Sequence, residues 1–294
     1  MLAVDAGNAL FETAFTLNPN SKAKAELILK SMGELKTAAM AAGARDLTMG
    51  PEFLAQTARR AGVPVLSANL TKEGKLIFPA STVVTVNGVK IGLLGISPAV
   101  TLERFPGVHG EPPVRAALEE AKKLRGKVDL LVALAPISWA DALQLSKEGG
   151  TLFDLIIQSS ESRGLGVMQH NDRGFVLSAG ERGRGMGAVE LDLSAPGNGP
   201  LVDLGEIDRA VMRRRNLESQ IAQVQARVAA EKDPGVLKNL QQAVVSFRDQ
   251  LKDLNASAAA GQAKGAHTAH LVVQYLDASV ADDPEIKAQV DSIK

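Results

Sequence analysis

The chain has 294 residues, 45% of them hydrophobic, and its 33 Lys and Arg residues balance 33 Asp and Glu residues. A formal net charge of zero and only 3% aromatic residues argue against binding to nucleic acid or to an anionic membrane surface. The lack of cysteine in the sequence excludes disulfides, zinc–thiolate sites and thiol nucleophiles, and no apolar run approaches the ~18 residues that cross a bilayer.

Short β-rich runs alternate with helical patterns over the first two hundred residues, which is typical of an α/β fold. We predict a strand at 2–4, a helix over 22–42, a strand at 47–49, a helix over 52–61 and a strand at 63–67. Residues 82–95 predict a β-hairpin, because Asn87 and Gly88 suit a type I′ turn.

The next stretch predicts strands buried on both faces of a sheet. These are 128–135 and 153–158, preceded by a helix over 113–124 and separated by a short helix over 141–146. Strands over 176–178 and 188–193 are predicted to close the domain.

A turn-rich segment at 194–200, SAPGNGP, predicts a domain boundary. Beyond it, apolar residues recur at the three-four spacing of a heptad pattern over 210–228 and, after a Pro-Gly turn, over 237–254. This spacing predicts two helices that fold back as an antiparallel hairpin. We predict a small-residue linker over 255–265, then a strand over 270–276 and a helix after Pro284.

The four histidines are predicted to be exposed loop or linker residues rather than metal ligands: His109, in a turn-rich loop, His170, at a hairpin tip, His267 and His270. The last two would share one face of a helix but lie on opposite faces of a strand. The segment ERGRGMG at 181–187 could cradle an anion, but it links two predicted strands and is not a nucleotide-binding loop.

Several stretches, taken in order over roughly residues 1–195, resemble one family. They read VDAGNALF, ARDLTMGPEFL, GVPVLSANL, GVKIGLLGIS, DLLVALAPISWADA, FDLIIQSSES and VLSAGERGRGMGAVELDL. Together they resemble the periplasmic 5′-nucleotidase branch of the calcineurin-like metallophosphoesterases. The resemblance implies a sandwich of two sheets flanked by helices, and the family uses two divalent metal ions to hydrolyse a phosphate ester.

The positions that match the family's first metal ligands hold different residues here. The Asp-x-His motif of the family's first strand would lie upstream of Met1, and the bridging aspartate falls at Asn8, which carries no charge to offset two cations. The family's Gly-Asn-His-Glu loop matches Gly50, Pro51 and Glu52.

The later ligand positions are also changed. A family histidine falls at or near Pro136, and a Gly-His-x-His motif falls in 159–162, which reads SSES. We therefore predict no metal, no other cofactor and no catalytic residue in this chain.

Polar residues are nevertheless expected at the carboxyl ends of the predicted strands, where α/β sheets bind ligands. The predicted ligand-binding cleft contains Asn8, Gly50, Glu52, Asn69, Ser138, Ser159, Ser160 and Glu161. The alternative is a hydrogen-bonded loop cluster that only ends the strands. Ser138 with Asp141 lacks a histidine base on an adjacent predicted loop, so we expect no nucleophile there.

The sequence thus predicts an α/β two-sheet sandwich over 1–195, a helical hairpin over 203–256 and a short αβ tail over 257–294. We expect a non-catalytic module that binds a small polar or phosphate-bearing ligand, or a protein partner, and no nucleic acid. The alternatives are a phosphohydrolase with a reduced or shifted metal site, and an assembly element acting through 206–256. The resemblance implies a periplasmic or otherwise exported protein, although the start shows no signal peptide and Met1 could be a late start.

Overall fold

The computed structural model describes residues 1–14, 16–99, 105–160, 168–171, 173–178, 183–194, 199–260 and 267–293. The chain divides into two compact units, one formed by 1–188 with 272–294 and the other by 189–271. The division into segments predicted above stays a prediction.

Helices and strands alternate through the first unit, as the sequence predicts for an α/β fold. Over the described residues of both units, the α-helices are α1 (Ser21–Glu34), α2 (Pro51–Ala61), α3 (Pro113–Leu124), α4 (Trp139–Gly149), α5 (Leu204–Ala230), α6 (Pro234–Ala260) and α7 (Pro284–Ile293). The strands are β1 (Val4–Asp5), β2 (Ala39–Ala41), β3 (Val65–Leu66), β4 (Leu70–Lys72), β5 (Lys75–Leu76), β6 (Ser81–Val86), β7 (Val89–Gly95), β8 (Val108–Gly110), β9 (Leu130–Ala135), β10 (Leu155–Gln158), β11 (Met168–His170), β12 (Phe175–Ser178), β13 (Gly185–Asp192), β14 (Leu201–Asp203) and β15 (His267–Tyr275).

A six-stranded sheet in the order β11-β12-β10-β9-β7-β6 forms the larger layer of the first unit. Its four central strands are parallel and its two edge strands are antiparallel. All six residues of β9 are buried, as expected for a strand covered on both faces. The predicted hairpin is confirmed, with Asn87 at φ 50° and Gly88 at φ 83° between β6 and β7.

A second, parallel sheet has the order β1-β2-β3, and α1 and α2 pack beside it in a core around Leu29, Met40 and Leu54. This sheet packs on the larger one through β2, β3, β7 and β9. The approach is close at Gly95, where a Cβ would lie 2.4 Å from the Leu66 carbonyl oxygen. The described residues therefore form two sheets flanked by helices.

The predicted helix over 22–42 and the predicted strand at 47–49 are both wrong. Helix α1 ends at Glu34, the strand is Ala39–Ala41, and residues 44–49 form turns. Alanine and methionine favour helices, but residues 39–42 are fully buried between neighbouring elements. Burial on both faces of the sheet therefore outweighs local helix propensity.

In the second unit, α5 and α6 are joined by residues 231–233 and lie against each other. The predicted heptad positions are the less exposed ones, from Leu217 to Val228 on α5 and from Leu237 to Leu251 on α6. The predicted linker over 255–265 is wrong for 255–260, which continue α6, and its remainder lies outside the described residues.

The third sheet has the order β13-β15-β14, so the predicted closing strand over 188–193 pairs beside β15 and not beside β12. The antiparallel sheet β5-β4-β8 includes His109, which was predicted to be in a loop. Helix α7 lies against α1, where Lys30 Nζ donates to Gln289 Oε1 at 2.7 Å.

Candidate functional site

In the first unit, the carboxyl ends of strands from the six-stranded sheet and from the sheet β1-β2-β3 come together. Ser159, which follows β10, donates its hydroxyl to the carbonyl oxygen of Ala6, which follows β1, at 2.7 Å. A Cβ at Gly7 would lie 2.7 Å from Ala41 O and 3.1 Å from Pro136 Cγ, so β1, β2 and the loop after β9 meet around this glycine. The sequence prediction placed Asn8 and Ser159 at these strand ends.

The residues that meet at these strand ends, namely Asp5, Gly7, Asn8, Gly43, Arg45, Asp46 and Ser159, form the strand-end cluster, and Asp46 lies at its centre. Its buried carboxylate accepts three backbone N–H groups: Oδ2 accepts from Asn8 at 2.7 Å and from Gly43 at 2.9 Å, and Oδ1 accepts from Leu10 at 3.0 Å. These bonds join the loop after β1 to the loop after β2. The protein backbone therefore uses about three of the four acceptor positions of this carboxylate.

Asn8 is held firmly between the same two loops. Its backbone has a φ of 66°, a conformation that asparagine tolerates better than most residues. Its side-chain Oδ1 accepts the backbone N–H of Arg45 at 3.1 Å. A Cβ at Gly43 would lie 2.5 Å from that oxygen, so glycine is required where the Asn8 amide packs against the loop after β2.

A second hydrogen-bond network joins the ends of β3 and β7. The hydroxyls of Ser67 and Ser97 lie 2.8 Å apart, and Ser97 Oγ donates to Ala42 O at 2.6 Å. Asn69 Oδ1 accepts the Ser97 N–H at 2.7 Å, while its Nδ2 donates to the carbonyl oxygens of Ser97 and Glu111. The predicted site residue Asn69 is thus buried and fully engaged in holding strand ends together.

Two carboxyl groups near each other give the cluster unusual electrostatics. Burial raises the pKa of Asp46 to about 7, the nearby Asp5 carboxylate adds to the rise, and the backbone donors of Asn8, Leu10 and Gly43 oppose it. Burial also raises the pKa of Asp5, against the hydrogen bond that its Oδ1 accepts from Gly7 N at 2.7 Å. Negative charge is therefore disfavoured on both groups.

Gly50 and Glu52, which were predicted to match the family's Gly-Asn-His-Glu loop, are not part of this cluster. The loop that follows the parallel strand β2 begins at Gly43, because the strand ends at Ala41 rather than at Met49. Glu52 is exposed and its Oε1 lies 2.7 Å from Lys72 Nζ, which lowers the pKa of Glu52. Gly50 precedes α2 with a φ of 89°, and a Cβ there would lie 2.5 Å from the ring of Phe105.

The remaining predicted site residues have separate roles or positions. Ser138 caps α4, accepting the Asp141 N–H at 3.0 Å and donating to Asp141 Oδ2 at 2.7 Å. Ser160 is exposed, and Glu161 lies outside the described residues. A ligand-binding role for the predicted set stays a prediction.

Sequence reasoning missed Asp46, Arg45 and the serine pair. The loop Gly43–Asp46 follows an apolar run and carries an aspartate three residues after a glycine, the spacing at which Asp46 accepts the Gly43 N–H. Ser67 directly follows β3 and Ser97 lies two residues after β7, and these positions at the ends of apolar runs were the available signal that the two serines meet.

The described residues do not fit a two-metal centre. Among them no group of three or more His, Cys, Asp or Glu side chains could hold a metal ion. Both oxygens of Asp46 accept backbone N–H groups and Asn8 Oδ1 accepts Arg45 N–H. The prediction that His267 is an exposed linker residue is wrong, because β15 begins at this residue and its side chain is buried, whereas His270 on the same strand is exposed. Within the described parts, no helix combines the length and apolarity required for a membrane span.

Solved structures of phosphoesterases share this fold. The calcineurin-like phosphoesterase YfkN of Bacillus subtilis is 21% identical with a TM-score of 0.55, covering 67% of this chain and 73% of that one. A 5′-nucleotidase precursor of Thermus thermophilus is 22% identical with a TM-score of 0.52, covering 65% of this chain and 42% of that one. The NAD nucleotidase of Haemophilus influenzae is 18% identical with a TM-score of 0.53, covering 68% of this chain and 44% of that one.

No family model and no curated protein matches the sequence. The chain spans less than half the length of the Thermus and Haemophilus proteins. The likeness shows a metallophosphoesterase-like fold, as the sequence resemblance predicted.

Proposed function

We propose that this metallophosphoesterase-like domain is a non-catalytic module that binds a small polar ligand or a protein partner. Its structural neighbours are 5′-nucleotidase-like phosphoesterases. The observation that carries the proposal is Asp46, whose two carboxylate oxygens accept three backbone N–H groups. A two-metal reaction needs anionic and imidazole donors that are free to coordinate cations.

The experiment is a hydrolysis assay with p-nitrophenyl phosphate and AMP, with and without added Mn²⁺. The proposal predicts the same rate as the buffer under all conditions. Metal-dependent turnover that disappears in the Asp46→Ala variant would instead support the phosphohydrolase alternative. Turnover that persists in that variant would identify a contaminating enzyme, because its source would not depend on the cluster.

The helical pair gives no independent support to the assembly alternative. Its apolar heptad positions are partly covered, and the flanking positions Gln220, Gln225, Gln241 and Gln250 are exposed and polar. Light scattering of the full chain and of a variant lacking 206–256 tests this alternative, which requires a dimer that the deletion abolishes. Export is a proposal that rests on the sequence resemblance.

A further inference from the structure

We propose that Asn8 and Arg45 form a metal-free binding site for a small oxyanion at the carboxyl ends of β1 and β2. This inference rests on the proposed function, because it names the chemical class of the ligand. In this site, positively charged and N–H donor groups of the protein recognise the anion, and bound metal cations are not required.

The first support is the orientation of the Asn8 amide. Its Oδ1 accepts the Arg45 backbone N–H at 3.1 Å, which leaves Nδ2 as a donor with no hydrogen bond to any described residue. The packing of Asn8 against Gly43 fixes the side chain, since even a Cβ at Gly43 would come within 2.5 Å of it. The free end of Asn8 therefore presents two N–H groups from a rigid position.

The second support is Arg45 itself. It is half-buried, yet its guanidinium forms no ion pair with any described residue. Among the residues of this unit that the structure describes, the other half-buried or buried arginines are Arg125 and Arg173, and both pair with Asp154. An arginine that is partly removed from water without a counter-charge is poised to gain one from a ligand, and its planar fork matches the geometry of an oxyanion.

The third support is that few side-chain oxygen atoms near Asn8 are free to coordinate a cation. Asp46 and Asn69 use their oxygens within the protein, and one oxygen of Asp5 accepts from Gly7. Burial raises the pKa of Asp5 and of Asp46, which lessens the repulsion that their carboxyl groups would exert on an anion. Asn8 Nδ2 and the Arg45 guanidinium are donors without a hydrogen bond or ion pair to a described residue, and donors fit an anion better than a metal ion.

The test is calorimetric titration of the full chain at low ionic strength with inorganic phosphate, sulfate, AMP and adenosine, in buffer containing EDTA. We expect saturable binding of the three anions and none of adenosine. Tighter binding of AMP than of phosphate would identify the oxyanion as the end of a larger ligand, and equal binding would identify the free ion.

Variants make the assignment specific. Arg45→Gln is expected to weaken binding by about tenfold or more, and Arg45→Lys by less, since lysine keeps the charge but loses the fork. Asn8→Asp keeps the acceptor for Arg45 N–H but replaces the donor by an anionic oxygen, so it should abolish binding. Arg59→Gln is the matched control, because Arg59 is exposed on α2 and should not contribute.

Three results would overturn the inference: no saturable anion binding by the wild type, equal binding by Arg45→Gln and wild type, or binding that appears only after Mn²⁺ replaces EDTA. Circular dichroism shows whether each variant is folded. If Arg45→Gln is not folded, the anion affinity of Arg45→Lys tests the role of Arg45 instead. Failure of anion binding leaves the absence of hydrolysis unaffected, so the two proposals fail separately.

Discussion

The Asp46 carboxylate accepts the backbone N–H of Asn8 at 2.7 Å, across 38 residues of sequence. One buried side chain thereby holds together the two loops that follow the neighbouring parallel strands β1 and β2. This contact and its surroundings should therefore contribute to the stability of the fold.

Replacing Asp46 with asparagine should destabilise the fold by about 1 to 3 kcal/mol, the typical cost of a buried polar group that loses its partner. The asparagine N–H₂ group that takes the place of one oxygen cannot accept the Leu10 N–H, which lies 3.0 Å from Oδ1. Urea denaturation measures the effect. Asp249→Asn, on an exposed position of α6, is the control and should change the free energy of unfolding by less than about 0.5 kcal/mol. Equal stability of the two variants would show that the carboxylate does not hold the loops.

The same carboxyl group should make stability depend on pH. Because burial raises its pKa to about 7, the folded state binds a proton more tightly than the unfolded state, whose Asp46 titrates near 3.8. Its contribution is fully present below about pH 4 and is lost as pH rises through 7, with an upper limit on the order of 4 kcal/mol. The free energy of unfolding of wild type minus that of Asp46→Asn should therefore decrease from pH 4 to pH 7.5. A difference that grows with pH would mean that the N–H donors outweigh burial.

Gly43→Ala should destabilise the fold by about 1 to 3 kcal/mol, because its Cβ would lie 2.5 Å from Asn8 Oδ1 and force the amide aside. The comparison is Gly126→Ala, where a Cβ would meet no atom within 4 Å. Thermal unfolding of both variants is sufficient to test this. A Gly43→Ala protein as stable as Gly126→Ala would show that the Asn8 side chain moves freely.

Away from the cluster, replacing Asp154, which directly precedes β10, should destabilise the fold more than replacing any other carboxylate of the larger sheet. It is buried, and its two oxygens accept from Arg125 Nη1 at 2.5 Å and Arg173 Nε at 2.7 Å. Asp154→Ala should cost about 3 to 5 kcal/mol, since two largely buried guanidinium groups lose their shared partner. Glu52→Gln, which removes only the exposed pair with Lys72, should cost less than about 1 kcal/mol in the same denaturation experiment. Similar losses in the two variants would contradict this ranking.

Local chemistry made much of the fold predictable. The Asn-Gly turn of the β6–β7 hairpin and the helix over 113–124, which begins at Pro113, depend on residues next to one another in sequence, and the structure confirms both. Strand β2 was missed because its residues favour helices and only burial between neighbouring elements makes them a strand. A pattern of local propensities cannot contain that information.

The site was harder to predict than the fold for a related reason. The partners of Asp46 are backbone N–H groups, two of which lie 36 and 38 residues away. Because every residue except proline has such a group, the sequence does not indicate which of them Asp46 will bind. The error at residues 47–49 also shifted the predicted loop to Gly50 and Glu52, past the one that contains Arg45 and Asp46. Asn8 and Asn69 were predicted as strand-end residues because each lies within a few residues of the end of an apolar run.

The central claim is that the strand-end cluster is complete without metal ions. Calorimetric titration of Mn²⁺ into metal-stripped protein, with elemental analysis of the protein as purified, tests it most directly. We predict less than one equivalent of Mn, Zn or Fe as purified, no saturable heat, and an unfolding temperature that neither Mn²⁺ nor EDTA changes. Binding of two equivalents of Mn²⁺ that is lost in Asp46→Asn would contradict the claim.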